Sequence, residues 1–179
     1  MTNIFCTKKL EKLIGKKLIA TNAVSDELIG NWNANLFSLN KRKCLIIMND
    51  VTYYCLIFLD VLKKDVLNFH ELFYQRLIEQ LDYDQVNFPF ECAPKLITSC
   101  EPNFLRTNNN RKVLGTMNEF VYELKYHFQL DYNGDFAQTN IPELNHRLTN
   151  NLVGALKPGQ SNFGRPIEEM KHLLRKVCA

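Results

Sequence analysis

Arginine, lysine and asparagine crowd one stretch of the chain: Arg106-Thr107-Asn108-Asn109-Asn110-Arg111-Lys112-Val113-Leu114-Gly115-Thr116-Met117-Asn118. It leads through a glycine into a predicted helix opening at Thr116, where Glu119 completes a capping box. First-turn amides are unpaired donors at the positive end of a helix dipole, and phosphate or carboxylate binds at such places. Arg106 and Arg111 suit a bidentate clamp on an anion, with Lys112 beside them. Asn108 and Asn118 would orient the ligand. The candidate anion-binding set is therefore Arg106, Asn108, Arg111, Lys112, Gly115, Thr116 and Asn118. The GxxxxGK[ST] spacing of a P-loop is absent. The competing reading is a polar loop whose caps and arginines serve its own carbonyls and carboxylates.

Other chemistry is sparse. Trp32, the only tryptophan, stands among amides in Asn31-Trp32-Asn33-Ala34-Asn35 and is a candidate for stacking on a base. Its commoner role is burial, with the indole N–H on a carbonyl. The four histidines, at 70, 127, 146 and 172, show no HxxxH or HExxH pair, and no His/Cys spacing of a zinc site occurs. No metal and no cofactor is expected. His127 follows Glu123 by four residues, an ordinary helix-surface pair. No GxSxG or locally activated cysteine appears. Asp82/Asp84 and Glu168/Glu169 read as solvated or capping charges.

Composition narrows the class. With 23% charged and 46% hydrophobic residues in 179, the chain can bury a real core, which excludes disorder. Charge alternates along it, about +5 over 1–43, −5 over 44–105 and +3 over 106–179. A dedicated nucleic-acid binder is more basic. The six cysteines include no CxxC pair, and Cys44 and Cys55 lie inside apolar runs. The N-terminus lacks the apolar region of a secretory signal, and Cys44–Leu59 is broken by Asn49-Asp50, too short for a membrane span. The expectation is a cytoplasmic protein with reduced thiols and no membrane partner.

The elements that must position these residues follow from pattern. Asn3–Cys6 reads as a strand, then Thr7 caps a short helix with Leu10, Leu13 and Ile14, stopped by Gly15. Residues 16–31 read as loop or irregular strand. Runs at 34–39, 43–48 and 53–59 with short connections predict an antiparallel three-strand meander, apolar on both faces and so covered on both sides. Asn68, with Glu71 and a Leu67–Leu72 staple, opens a helix burying Phe69, Phe73, Leu77 and Leu81. Residues 82–103 hold three prolines and at most one short helix, and 103–106 a strand. Further helices run from Thr116 to Phe128, from about Pro142 to Leu148 and from Pro166 to the C-terminus. The fold class is α+β, one domain over 1–179, an antiparallel sheet with helices packed on it.

Several segments recur together in a known family: Asn31-Trp32-Asn33-Ala34-Asn35-Leu36, Lys41-Arg42-Lys43-Cys44-Leu45, Arg111–Phe120, Leu144-Asn145-His146-Arg147-Leu148, Gly154-Ala155-Leu156 and Pro166-Ile167-Glu168. They resemble a small, functionally uncharacterised bacterial domain family with W-x-A-N-L and R-x-V-L-G-[ST]-M-N-[DE] motifs. The resemblance covers nearly the whole chain and carries no activity with it. Three functions remain open. The first is a non-enzymatic binding or regulatory module for nucleic acid or a nucleotide phosphate. The second is a phosphate-ester hydrolase or nuclease using Arg111, Asn118 and Glu119. The third is a protein-interaction partner in a two-protein regulatory pair.

Overall fold

The computed structural model describes residues 1–24, 29–156 and 163–178. Five strands form one sheet: β1 (Thr2–Cys6), β2 (Trp32–Leu39), β3 (Arg42–Asn49), β4 (Cys55–Phe58) and β5 (Pro102–Arg106). Their order across the sheet is β4-β3-β2-β1-β5. β2, β3 and β4 pair antiparallel as neighbours, with Ala34 opposite Ile47 and Ile47 opposite Leu56. β2 and β3 join through Asn40 and Lys41, both at positive φ, the conformation a two-residue hairpin needs.

The sheet is mixed, which corrects the expectation of an antiparallel one. β1 runs parallel to both β2 and β5, with Ile4 in register with Trp32 and with Phe104. The reason is connection length. The segment between β1 and β2 contains α1 (Lys8–Ile14), long enough for a parallel crossover. β5 comes much later in the chain and takes the free side of β1. Part of the loop expected over 16–31 is a 3-10 turn at Lys16–Leu18, and residues 25–28 lie outside the described residues.

Helices cover both faces. On the first lie α1, α2 (Lys63–Leu67), α3 (Phe69–Tyr83), α4 (Ala93–Ser99) and α7 (Pro166–Val177). They supply Leu10, Val66, Phe73, Leu96 and Met170 to a cluster with Ile4, Trp32 and Ile47. On the second face, α5 (Arg111–Tyr132) and α6 (Ile141–Thr149) pack Met117, Phe120, Leu144 and Leu148 against Ile46, Met48 and Ile57. Alternate residues of β3 thus serve two cores, so both of its faces read as apolar. Asn68 does precede α3, but its side chain makes no cap bond, and Leu67 is exposed rather than stapled to Leu72.

Each edge of the sheet is covered, as an unpaired edge invites association with other chains. On the β4 side, buried Asn145 of α6 imitates a strand. Its Oδ1 accepts from Ile57 N at 2.9 Å and its Nδ2 donates to Cys55 O at 3.0 Å. On the β5 side, Ala20 N donates to Phe104 O at 2.7 Å and Asn103 Nδ2 to Asn22 O at 3.0 Å.

The cysteines depart from expectation at one pair. Cys92, at the start of α4, and Cys178, just past α7, are joined as a disulfide with Cα atoms 5.9 Å apart. Both helices pack on the first core, which brings their ends together. Cys6, Cys44 and Cys55 are buried free thiols, and Cys100 is buried as well. Burial pushes the thiols of Cys6, Cys44 and Cys55 above the ordinary cysteine range.

Two outcomes follow from this packing. Asn145→Ala strips one donor and one acceptor from a buried strand edge and lowers stability by about 3 kcal/mol, read from urea unfolding. Alkylation of the native protein at pH 8 leaves Cys6, Cys44 and Cys55 unmodified, whereas unfolding exposes all three, as peptide mass mapping shows.

Candidate functional site

The cationic stretch divides between two places. α5 begins at Arg111, five residues before the predicted start, because Asn110 is the cap: its side chain accepts from Val113 N at 3.3 Å. Thr116 and Glu119 therefore form no capping box. Gly115, Thr116 and Asn118 lie inside the helix, where their amides join its ladder. The apolar stripe beginning at Val113 permits the extra turn, since Val113 and Met117 share the buried face. Arg111 and Lys112 become the first-turn residues, and both are exposed.

β5 ends at Arg106, and the loop to α5 is held by its own polar side chains. Thr107 Oγ1 accepts from Asn109 N and Asn108 Oδ1 from Asn110 N, each at 3.1 Å. Asn109 takes a positive φ of 54° between them. Arg106, Asn108, Arg111 and Lys112 are exposed. None of the three cations has an ion-pair partner among the described residues. The polar side chains therefore serve the loop's own backbone, as the competing reading expects, while the arginines find no carboxylate.

Beside this loop opens a cavity of about 480 Å³. Phe5 and Leu105 give it apolar walls, Ala20 and Thr21 close one side, and Arg106, Thr107 and Asn108 stand at its polar end. It lies at the carboxyl ends of β1 and β5, adjacent parallel strands. The chain after β1 turns to the first face as α1, and the chain after β5 turns to the second as α5. Such a divergence leaves a crevice that open parallel sheets use for ligands. Thr116 and Glu119 instead line a separate cavity against Asn151–Ala155, and Arg111, Lys112, Gly115 and Asn118 line neither of the two. Trp32 is fully buried, its ring edge-on to Phe73 at 5.2 Å, which removes it as a stacking residue. Its indole N–H has no partner, contrary to the expected carbonyl.

A second polar centre arises from residues the sequence kept apart. Asp84, expected to be solvated, has a side chain with no solvent exposure. Its Oδ2 accepts from Tyr54 Oη at 2.6 Å, and its Oδ1 accepts from Gln80 Nε2 at 3.1 Å and His146 Nδ1 at 2.6 Å. Thr149 Oγ1 lies 3.4 Å from Oδ2. Burial, then the Asp84 charge, drives the Tyr54 phenol well above its ordinary range, and the same two causes act on Cys55. Sequence signals for this centre were faint: Gln80 and Asp84 share a helix face at i, i+4, while Tyr54 and His146 are brought in only by folding.

A family model described as a domain of unknown function (DUF6933) matches residues 3–169. The chain belongs to this family. No curated protein and no solved structure matches it. The match spans both polar centres of this DUF6933 chain and ends inside α7, before Cys178. No helix among the described residues is long and apolar enough to cross a membrane, and no group of three or more His, Cys, Asp or Glu there could hold a metal ion.

On the surface beside α6, His127 Nδ1 meets Asp131 at 2.9 Å, closer than its expected partner Glu123 at 3.9 Å. Arg147 reaches Asp131 at 2.6 Å and Glu143 at 2.9 Å. The hydrogen bond from His127, with Arg147 adding to it, holds the Asp131 carboxyl below the usual range. This exposed network is a minor stabiliser. The buried centre is not: Asp84→Ala, which strands Tyr54 and Gln80, lowers stability by about 3 kcal/mol in urea unfolding. A loss under about 0.5 kcal/mol, the range of ordinary surface changes, would refute this account of Asp84.

Proposed function

We propose that the chain is a single-domain, non-enzymatic binding module that takes a nucleotide phosphate at the crevice between the ends of β1 and β5. The observation that carries this reading is the coincidence of that crevice with unpaired cations. Two parallel strands send their chains to opposite faces, and the opening between them ends on Arg106, with Arg111 and Lys112 one short loop away.

The division of labour follows from residue chemistry. Phe5 and Leu105 offer an apolar wall for a ring, and the volume of about 480 Å³ is that of a small-molecule site. Arg106 meets the phosphate as a fork, while Arg111, Lys112 and the free first-turn amides of α5 add charge and donors. Asn108 spends its carbonyl oxygen on Asn110 N, so its amide NH2 is what faces a ligand. Gly115, Thr116 and Asn118 take no part, since the helix has absorbed them. The hydrolase reading needs Glu119 beside Arg111, and Glu119 lines a different cavity two turns along α5.

Calorimetric titration with a nucleoside monophosphate and with inorganic phosphate tests the proposal. Binding is expected to weaken as salt rises, because the contacts are ionic. Arg106→Gln is expected to cost about tenfold in affinity, roughly 1.4 kcal/mol, and Arg111→Gln somewhat less. Salt-independent binding, or an Arg106→Gln variant with undiminished affinity, overturns it.

A further inference from the structure

We infer that His146 is a nucleophilic imidazole that accepts a phosphoryl group at Nε2, with Asp84 as its positioning residue and Arg165 as the anchor for the anionic donor. This reading is independent of the crevice, which lies at the other edge of the sheet.

The protonation pattern follows from counting donors. Tyr54 Oη and Gln80 Nε2 each bring a hydrogen to Asp84 and leave the carboxylate as acceptor. His146 Nδ1, 2.6 Å from Oδ1, must then donate as well. In the neutral ring this puts the lone pair on Nε2, which has no partner among the described residues. The ring is fixed edge-on against Tyr83 at 5.8 Å and is about one-third exposed. Asp84 has no exposure, so its charge acts on the ring with little screening.

The other three histidines lack this combination. His70 Nε2 is bonded to Ile97 O. His127 lies between Asp131, Arg147 and Glu123, all exposed or half-exposed. His172 is exposed on α7 without a carboxylate partner.

A cation stands one turn away. Asn150 follows His146 by four residues, with Asn150 N bonded to His146 O at 2.9 Å, so both share a side of α6. Arg165 Nη1 donates to Asn150 O at 2.6 Å and to Asn150 Oδ1 at 2.9 Å. No carboxylate among the described residues pairs with Arg165, which leaves its charge for an incoming anion. In the transfer, the Nε2 lone pair forms the N–P bond. The donor is a phosphoramidate: its own P–N bond breaks at the same phosphorus, and that electron pair departs with the amine, which leaves with the protons it already carried in the donor. Nδ1 keeps its proton against Asp84, whose charge offsets the positive charge developing on the ring.

Phosphoramidate, whose leaving group is ammonia, is the probe. The full chain is treated at neutral pH and the sites are mapped by mass spectrometry under alkaline handling. His146 is expected to be phosphorylated first, at least tenfold faster than His172 in the same molecules. Arg165→Gln and Asp84→Asn are each expected to lower that ratio about tenfold. In 15N NMR the His146 ring proton is expected on Nδ1 in the parent and redistributed in Asp84→Asn. Equal rates at His146 and His172, or a ratio unchanged by Arg165→Gln, overturn the inference even where Asp84→Asn does not fold.

Discussion

A carboxylate without solvent must find its donors inside the protein, and Asp84 finds them on three elements at once. Gln80 comes from the same helix, Tyr54 from the approach to β4, and His146 from α6. A buried charge left uncompensated costs several kcal/mol, so these elements have little freedom to part. That constraint fixes the corner where α3, α6 and the sheet edge meet. Asn145, the residue before His146, closes the β4 edge from the same turn of helix. α6 therefore does two jobs in adjacent residues: one hides strand polar groups and the other satisfies a charge. Leu144 and Leu148 tie it to the second core.

The opposite edge is built on a different logic. There β1 lies between two parallel neighbours, and the chains that leave β1 and β5 diverge to opposite faces. Divergence leaves an opening that no side chain of the second core fills. Arg106 at its polar end stays unpaired, as do Arg111 and Lys112 one short loop away, whereas Asp131 and Glu143 on the α5–α6 surface are taken up by Arg147 and His127. At one edge a buried carboxylate is supplied with donors, while Gln80 Oε1 and His146 Nε2 stay without partners among the described residues; at the other, cations stand without a carboxylate.

Folding redistributed the residues of the conspicuous motif. Asn110 rather than Thr116 caps α5, because a cap can be chosen wherever a short amide side chain meets the first apolar residue of the stripe, and Val113 precedes Met117 by one turn. The motif's second half then became ordinary helix. Trp32 takes the commoner of its two expected roles, burial: its strand position points it into the first core beside Phe73, although its indole N–H finds no carbonyl.

Local pattern by itself determined most of the elements: the strand-like runs at 34–39 and 43–48, the stripe from Phe69 to Leu81, and the proline-led helices at 142 and 166 all reflect spacing along the chain. It also singled out Arg106, Arg111 and Lys112, which the fold leaves exposed and without an ion-pair partner among the described residues. Only the tertiary structure decided that the sheet is mixed, that Arg106 ends beside a cavity, and that Asp84 meets Tyr54 and His146 across 30 and 62 residues. Periodicity records which face of an element is buried, but says nothing of which elements lie against each other. Contacts between distant segments depend on how two cores close over one sheet, and that is a property of the assembled chain.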